Sequence, residues 1–317
     1  MRRICAVLLL MALLLASCAG PRPGPSPSPS PGAAEESVSF TDDLGRTLEL
    51  PPPRRVAALI GSFADIWCLA GGRDTLIAAA GDAWTNFDLN LNADTADLGS
   101  VKEPNLEVLL AARPDFVLAS CNTQADLDLM AAFEDAGIPA AYFEVDSFAD
   151  YLRMLDVCSR LTGCPERYEE YGAQVQARVE QAVARQDGSA PTVLYIRASG
   201  SSCTVKGGEG SVLGEMLAAL GCVNVADREG ALLENLSLEG VIAADPDYIF
   251  SVLQGADKDK AQAVLDNTLL SNPAWNSLRA VREGRFYTLD HTLYNLKPNA
   301  RWGEAYEKLA DILYPAQ

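Results

Sequence analysis

Two glutamates occupy the same place in two copies of one phrase. "NLEVLLAARPDFVLAS" (Asn105 to Ser120) returns as "SLEGVIAADPDYIFSV" (Ser237 to Val252) at a constant offset of 132 residues, and Glu107 and Glu239 are its matched carboxylates. A carboxylate shown once per repeat would give a symmetric partner one equivalent contact per copy, and a carboxylate can pair with arginine in two-pronged fashion. Each would also be favourable by about 0.3–1 kcal/mol in the first turn of a helix. A second set of residues suits a solute. Trp84 and Tyr294 are loop aromatics fit for a flat, partly apolar ligand. Arg197, Lys206, Lys297 and Arg301 are loop cations in an acidic chain and could meet an anionic chelate. His291 is the only histidine, hence the only imidazole open to a metal or haem iron. One histidine argues against a receptor for bare transition-metal ions, which needs several converging ligands, and with no CxxC spacing a structural zinc site is also disfavoured. Catalysis has little to build on. G-x-S-x-G, H-E-x-x-H and P-loop patterns are missing from the sequence, and a serine triad would have to use His291.

The elements that must hold these residues alternate. "RRVAALIG", "DTLIAAAGD", "DFVLAS" and "IPAAYFEV" are apolar strands. Helices intervene over about Phe63–Ala70, in "NLEVLLAARPD" with Asn105 as N-cap, and in "ADLDLMAAFEDAG" ending at Gly137. The plan restarts in "PTVLYIRASG", "CVNVAD", "DYIFSVL" and "GRFYTLD", with helices between them and a last helix in "RWGEAYEKLADILY". Near-continuous apolar strands separated by helices predict an α/β fold: two lobes, each a mostly parallel sheet flanked by helices. Between them, Ser147 to about Gln186 carries two apolar stripes at steps of three and four, interrupted at Gly163-Cys164-Pro165, so the connection is helical and stiff. The expected boundaries are 38–146 for the first lobe, 147–186 for the link and 187–317 for the second. Open α/β sheets bind ligands outside the carboxyl ends of their strands, which face each other across a cleft in a two-lobed receptor. The candidate binding residues are therefore Ser62, Phe63, Trp84, Cys121, Asn122, Arg197, Lys206, Gln254, His291, Tyr294, Lys297 and Arg301.

The amino-terminal end reads as export machinery. Arg2 and Arg3 precede a 12-residue apolar run, Ile4 to Leu15, too short to span a bilayer comfortably. Leu15-Ala16-Ser17-Cys18 resembles the lipobox of bacterial lipoproteins, implying cleavage after residue 17 and a lipid anchor on Cys18. Prolines at every second position from Pro21 to Pro31 make residues 18–37 an extended tether. Loss of Arg2 and Arg3 takes the net charge from −18 to −20, which argues against nucleic acid and anionic lipid as partners. Six cysteines remain in the body, and proximity alone suggests Cys158 with Cys164 and Cys203 with Cys222 as disulfides.

Taken in order, "FTDDLGRTLELPPPRRVAALIGSFADIWCLAG", "NLEVLLAARPDFVLAS", "SLEGVIAADPDYIFSV" and "NPAWNSLRAVREGRFYTLD" resemble the periplasmic-binding-protein family for iron-siderophore complexes and vitamin B12, the helical-backbone class of ABC-transporter solute receptors. The resemblance runs from Val38 to Tyr314. It implies a monomeric, lipid-anchored receptor that captures a ferric siderophore or similar metal chelate and does no chemistry. It also implies an ABC permease dimer with its ATPase as partner, docked through Glu107 and Glu239, and no resident cofactor. Cobalamin or haem as the cargo, a bare-metal receptor, an exported hydrolase and an adhesive lipoprotein are the alternatives.

Overall fold

Five strands, Val56–Ala58, Leu76–Ala79, Ala96–Asp97, Phe116–Ser120 and Ala140–Phe143, hydrogen-bond in parallel in the first lobe, with Val56–Ala58 at the centre between Leu76–Ala79 and Phe116–Ser120. The computed structural model describes residues 37–315 except Glu229 and Ala256, so Cys18, the expected signal at 1–17 and nearly all of the expected tether at 18–37 lie outside the described residues. Every residue of Phe116–Ser120 and Ala140–Phe143 is buried because helices cover both faces of the sheet. An antiparallel hairpin, Val38–Thr41 with Thr47–Leu50, leads into the lobe.

The second lobe is built on Thr192–Ala198. Tyr248–Leu253 pairs with it in parallel on one side, and Phe286–Leu289 continues the sheet beyond. Its other edge is shared: the first two residues pair in parallel with Val223–Asn224, and the last four pair antiparallel with Cys203–Lys206. That returning strand falls within the segment expected to be a loop. The expected two-lobed, mostly parallel α/β fold is otherwise what the chain adopts.

The repeated phrase is duplicated in detail. Asn105 accepts from the Val108 N–H and Ser237 from the Gly240 N–H, each at 3.1 Å, starting Leu106–Ala112 and Leu238–Ala244. Both helices end on a left-handed residue, Arg113 (φ 51°) and Asp245 (φ 36°). The Pro-Asp that follows does more than break a helix. Asp115 accepts the Arg54 and Arg55 N–H groups at 3.0 and 2.9 Å, and Asp247 accepts the Thr192 N–H at 2.9 Å and its hydroxyl at 2.6 Å. In each lobe the repeat thus clamps its own strand onto the neighbouring one, Val56–Ala58 or Thr192–Ala198.

The link opens with Phe148–Leu161. It is started by a reciprocal cap in which Ser147 Oγ accepts the Asp150 N–H and the Asp150 carboxylate accepts the Ser147 N–H. After the break at Gly163–Pro165 the chain is helical from Glu166 to Val183, with a wider π turn over Glu169–Ala173. One apolar core, including Phe63, Phe143, Tyr151, Tyr195, Phe250 and Trp302, runs through both lobes and the link. Trp302–Leu313 packs along Gln174–Val183, tied by Arg178–Glu307 (2.7 Å) and Arg185–Asp311 (2.6 Å). Neither expected disulfide forms, and the six cysteines of the described residues are free thiols. Cys158 is buried in the core, whereas Cys164 stands on the turn beyond the helix against Gly71. Cys203 lies level with Ala198, but Cys222 adjoins Val223, which lies level with Thr192. The two levels are ~20 Å apart along the strand, beyond any bridge.

Candidate functional site

The carboxyl ends of the strands converge as expected, and a cavity of about 480 Å³ opens between loops of both lobes. Thr85 and Asn86, after Leu76–Ala79, form one wall; Gly255, Lys258, His291, Asn295 and Leu296, after Tyr248–Leu253 and Phe286–Leu289, form the other. The size is that of a small-ligand site. Trp84, on the short helix Asp82–Thr85, flanks the first wall and is 43% exposed, while Trp67, Trp275 and Trp302 are buried. Gln254 adjoins the second wall, its N–H held by the Ala198 carbonyl at 2.8 Å.

His291 starts a four-residue turn capped by Asp290, whose carboxylate accepts the Thr292 N–H and hydroxyl, both at 2.7 Å. Burial, then the nearby Lys258 charge, lower the His291 pKa, with Asp290 opposing. The imidazole is therefore neutral at pH 7. Lys258 donates to the Leu253 carbonyl at 2.9 Å, and burial lowers its pKa. The Asn295 side-chain oxygen is shut off from solvent and accepts no hydrogen bond among the described residues.

Other candidates serve the scaffold. Phe63 is wholly buried, edge-on to Phe143 at 6.4 Å, and belongs to the core instead of a ligand surface. Ser62 is buried too, and its carbonyl accepts from Asn299 Nδ2 at 2.9 Å. Tyr294 is 2% exposed and donates to the Ala305 carbonyl at 3.1 Å, so it is a core plug. Asn122 and Lys297 meet on one carboxylate: Asp146 accepts Asn122 Nδ2 at 2.9 Å and Lys297 Nζ at 3.0 Å. That clasp joins the lobes and takes Lys297 out of the free cations. Arg301 forks onto Glu304 at 2.8 and 3.1 Å. With Lys308, it holds the Glu304 carboxyl down at about 2.

Arg197 and Lys206 are diagonal neighbours across the hairpin. Arg197 Nε is buried with no hydrogen-bond partner among the described residues. Lys206, opposite Tyr195, is three residues back from the rim and lines a separate cavity of about 590 Å³ with Glu209 and Asp227. Burial, then Arg197, lower its pKa. Cys121 is half-buried, its thiol pushed up to about 11 by burial and then by Asp43. Glu107 and Glu239 are exposed in the first turns of their helices.

Of the cavity's lining only His291 was among the residues expected from the sequence; Lys258 is the charged residue that sequence reading missed. It follows the N-cap Asp257 as the first residue of Lys258–Leu265, where a cation is disfavoured by the helix dipole. A positive charge at that place was the available signal.

Comparison with known proteins bears on this geometry. A family model described as "Periplasmic binding protein" matches residues 56–293. The chain is 25% identical over 296 residues to the Fe(3+)-citrate-binding protein YfmC of Bacillus subtilis (strain 168), covering 90% of this chain and 88% of that one. It is 20% identical over 229 residues to the high-affinity heme uptake system protein IsdE of Staphylococcus aureus (strain MRSA252), covering 71% and 76%. Among solved structures, the apo form of the periplasmic heme-binding protein RhuT from Roseiflexus sp. RS-1 superposes with a TM-score of 0.66 at 25% identity, covering 82% of this chain and 98% of that one.

Proposed function

We propose, from the premise that this chain belongs to the periplasmic binding protein family, that it is the solute receptor of an ABC importer and carries an iron chelate in the cavity between its lobes. The observation that carries this reading is the cavity itself: about 480 Å³, lined from both lobes, at the carboxyl ends of the strands. The named cargoes of the relatives, ferric citrate and heme, support the chelate class. The receptor performs no chemistry; the importer's ATPase supplies the energy. In this reading it works outside the cytoplasm, tethered through lipidated Cys18, and hands its cargo to a permease dimer met by Glu107 and Glu239. Among the described residues no helix is long and apolar enough to cross a membrane, so attachment falls to the amino-terminal segment.

Trp84 gives the test a built-in reporter. Titration with ferric citrate, hemin, a ferric trihydroxamate and cobalamin should give a saturable change in tryptophan fluorescence with at least one of them. Trp84→Phe should abolish most of that signal while retention of the ligand on gel filtration persists. If none of the four is retained, the receptor reading fails.

A further inference from the structure

We propose that residues 18–37 act as a leash with a required minimum reach, because the chain enters the body at the end turned away from the permease. The inference rests on the receptor reading, in which Cys18 carries the lipid anchor and Glu107 and Glu239 meet the permease. It adds a length requirement that neither the anchor nor the cavity supplies.

Contacts along the link fix the point of entry. Phe148–Leu161 starts at the cleft end, its N-cap Ser147 coming just after the strand Ala140–Phe143. Arg153, in the second turn, pairs with Asp43 at 3.1 Å, and Arg160, in the last turn, donates to the Ser39 carbonyl at 3.3 Å. Val38–Thr41 therefore climbs toward the cleft, and Ser37 lies beside the far end of the helix. From Ser147 to Arg160 is thirteen residues, a drop of about 20 Å at the helical rise. On the same level Val38 pairs with Leu50, from which the chain passes into the amino end of Val56–Ala58.

The repeat helices start at the opposite end. The Asn105 N–H donates to the Leu98 carbonyl at 2.8 Å, and the Leu98 N–H donates to Ala79, the carboxyl end of its strand, at 2.9 Å. Leu106–Ala112 then descends to Asp115, which clamps Arg54 and Arg55 at the amino end of the sheet. Glu107 is thus on the cavity side, and Glu239 takes the same place ahead of Asp247. A permease met by both glutamates faces the cavity, so the anchored chain joins the body farther from the membrane by that drop.

Nineteen steps join Cys18 to Ser37, and six of the residues are alternate prolines. In a polyproline II form they would span about 60 Å, whereas a Gly/Ser chain of that length has a root-mean-square reach of about 25 Å. A linker too short for its span lowers the effective concentration of the tethered partner to near zero. The proline run gives a reach well above the drop without lengthening the chain.

The test compares full-length chains in cells lacking the wild-type receptor, using radiolabelled ferric citrate, hemin, a ferric trihydroxamate and cobalamin. Deleting residues 21–34 leaves five steps, at most about 18 Å. That variant should be lipidated and membrane-bound in wild-type amount and should bind the solute normally once extracted in detergent. Its uptake should fall at least tenfold. A 28-residue Gly-Ser stretch in place of the deleted residues has a root-mean-square reach of about 30 Å over the whole leash, and should restore at least half of the wild-type uptake. Undiminished uptake by the deletion would overturn the inference and leave the receptor reading standing. So would failure of the Gly-Ser chain to restore uptake, which would show that these residues are needed for something other than reach. A wild-type chain that supports uptake of none of the four overturns the inference and the receptor reading together.

Discussion

Asp126 and Asp82 are acids placed where acids are costly. Asp126 is 0% exposed; one carboxylate oxygen accepts the Ser120 N–H at 2.8 Å and the other has no partner among the described residues. Burial, reinforced by the Asp82 charge, pushes its pKa from 3.8 to about 7. Asp82 accepts the Gly61 N–H at 2.8 Å, and burial pushes it from 3.8 to about 6. Both hold residues at or just past strand ends, and Asp82 begins the turn that carries Trp84. Because the folded-state pKa values are raised, the fold holds extra protons between about pH 4 and pH 7, and stability falls as pH rises through that window. Asp247 and Glu304 act in the opposite sense. Their pKa values are lowered, so their contribution is present above the ordinary carboxylate range and lost as pH falls through the folded values. Stability should therefore peak near pH 5. At pH 8, Asp126→Asn should exceed wild type by about 1–3 kcal/mol, since an amide avoids burying a charge, and the gain should vanish by pH 5. Urea melts at the two pH values check this. Equal stability of wild type at both, with the variant weaker at both, would refute it.

At the scale of elements, the repeat shows what could be read in advance and what could not. Periodicity located the strands and helices of both copies, because apolar spacing is set by local geometry and burial. Asn105 was legible as an N-cap for the same local reason. The work of Asp115 and Asp247 was not, because their partners lie 55 to 61 residues away. The hairpin strand Cys203–Lys206 was read as loop, which put Lys206 at the cleft when its pairing carries it back along the sheet. Phe63 and Tyr294 sit in ligand-loop positions by topology, and only packing reveals that they face inward. A clamp made twice should fail in the same way twice. Asp247→Ala leaves the Thr192 N–H and hydroxyl without their acceptor and Arg279 without its 2.9 Å ion-pair partner. Asp115→Ala leaves the Arg54 and Arg55 N–H groups without theirs. Each should cost about 1–3 kcal/mol, read as a lower denaturation midpoint. Asparagine, which keeps an acceptor, should recover part of the loss at both sites. A loss at only one would show that the two copies are not mechanically equivalent.

Across the whole molecule, the seam between lobes fixes how the two copies stand relative to each other. The shared core, the Asp146–Lys297 clasp and Asn299, which donates to Ser62 and Asp65 from a buried left-handed backbone (φ 50°), all join the second lobe to the first. A seam of this kind should resist lobe closure and so hold Glu107 and Glu239 at a nearly constant spacing. A permease dimer that presents one arginine site per half would need such a spacing. Neither glutamate makes an ion pair within the chain among the described residues, and both are exposed at helix starts. Removing one should leave a receptor that docks by its other lobe alone, with uptake of the chelate reduced several-fold. Removing both should lower uptake to the level of a strain lacking the receptor. In Glu107→Ala with Glu239→Ala, fluorescence titration should return the wild-type affinity, because the cavity lies at the strand ends and is lined by other loops. Undiminished uptake by the double variant, with ligand binding intact, would show that the permease reads some other surface. Loss of ligand binding would show that these helices support the cavity.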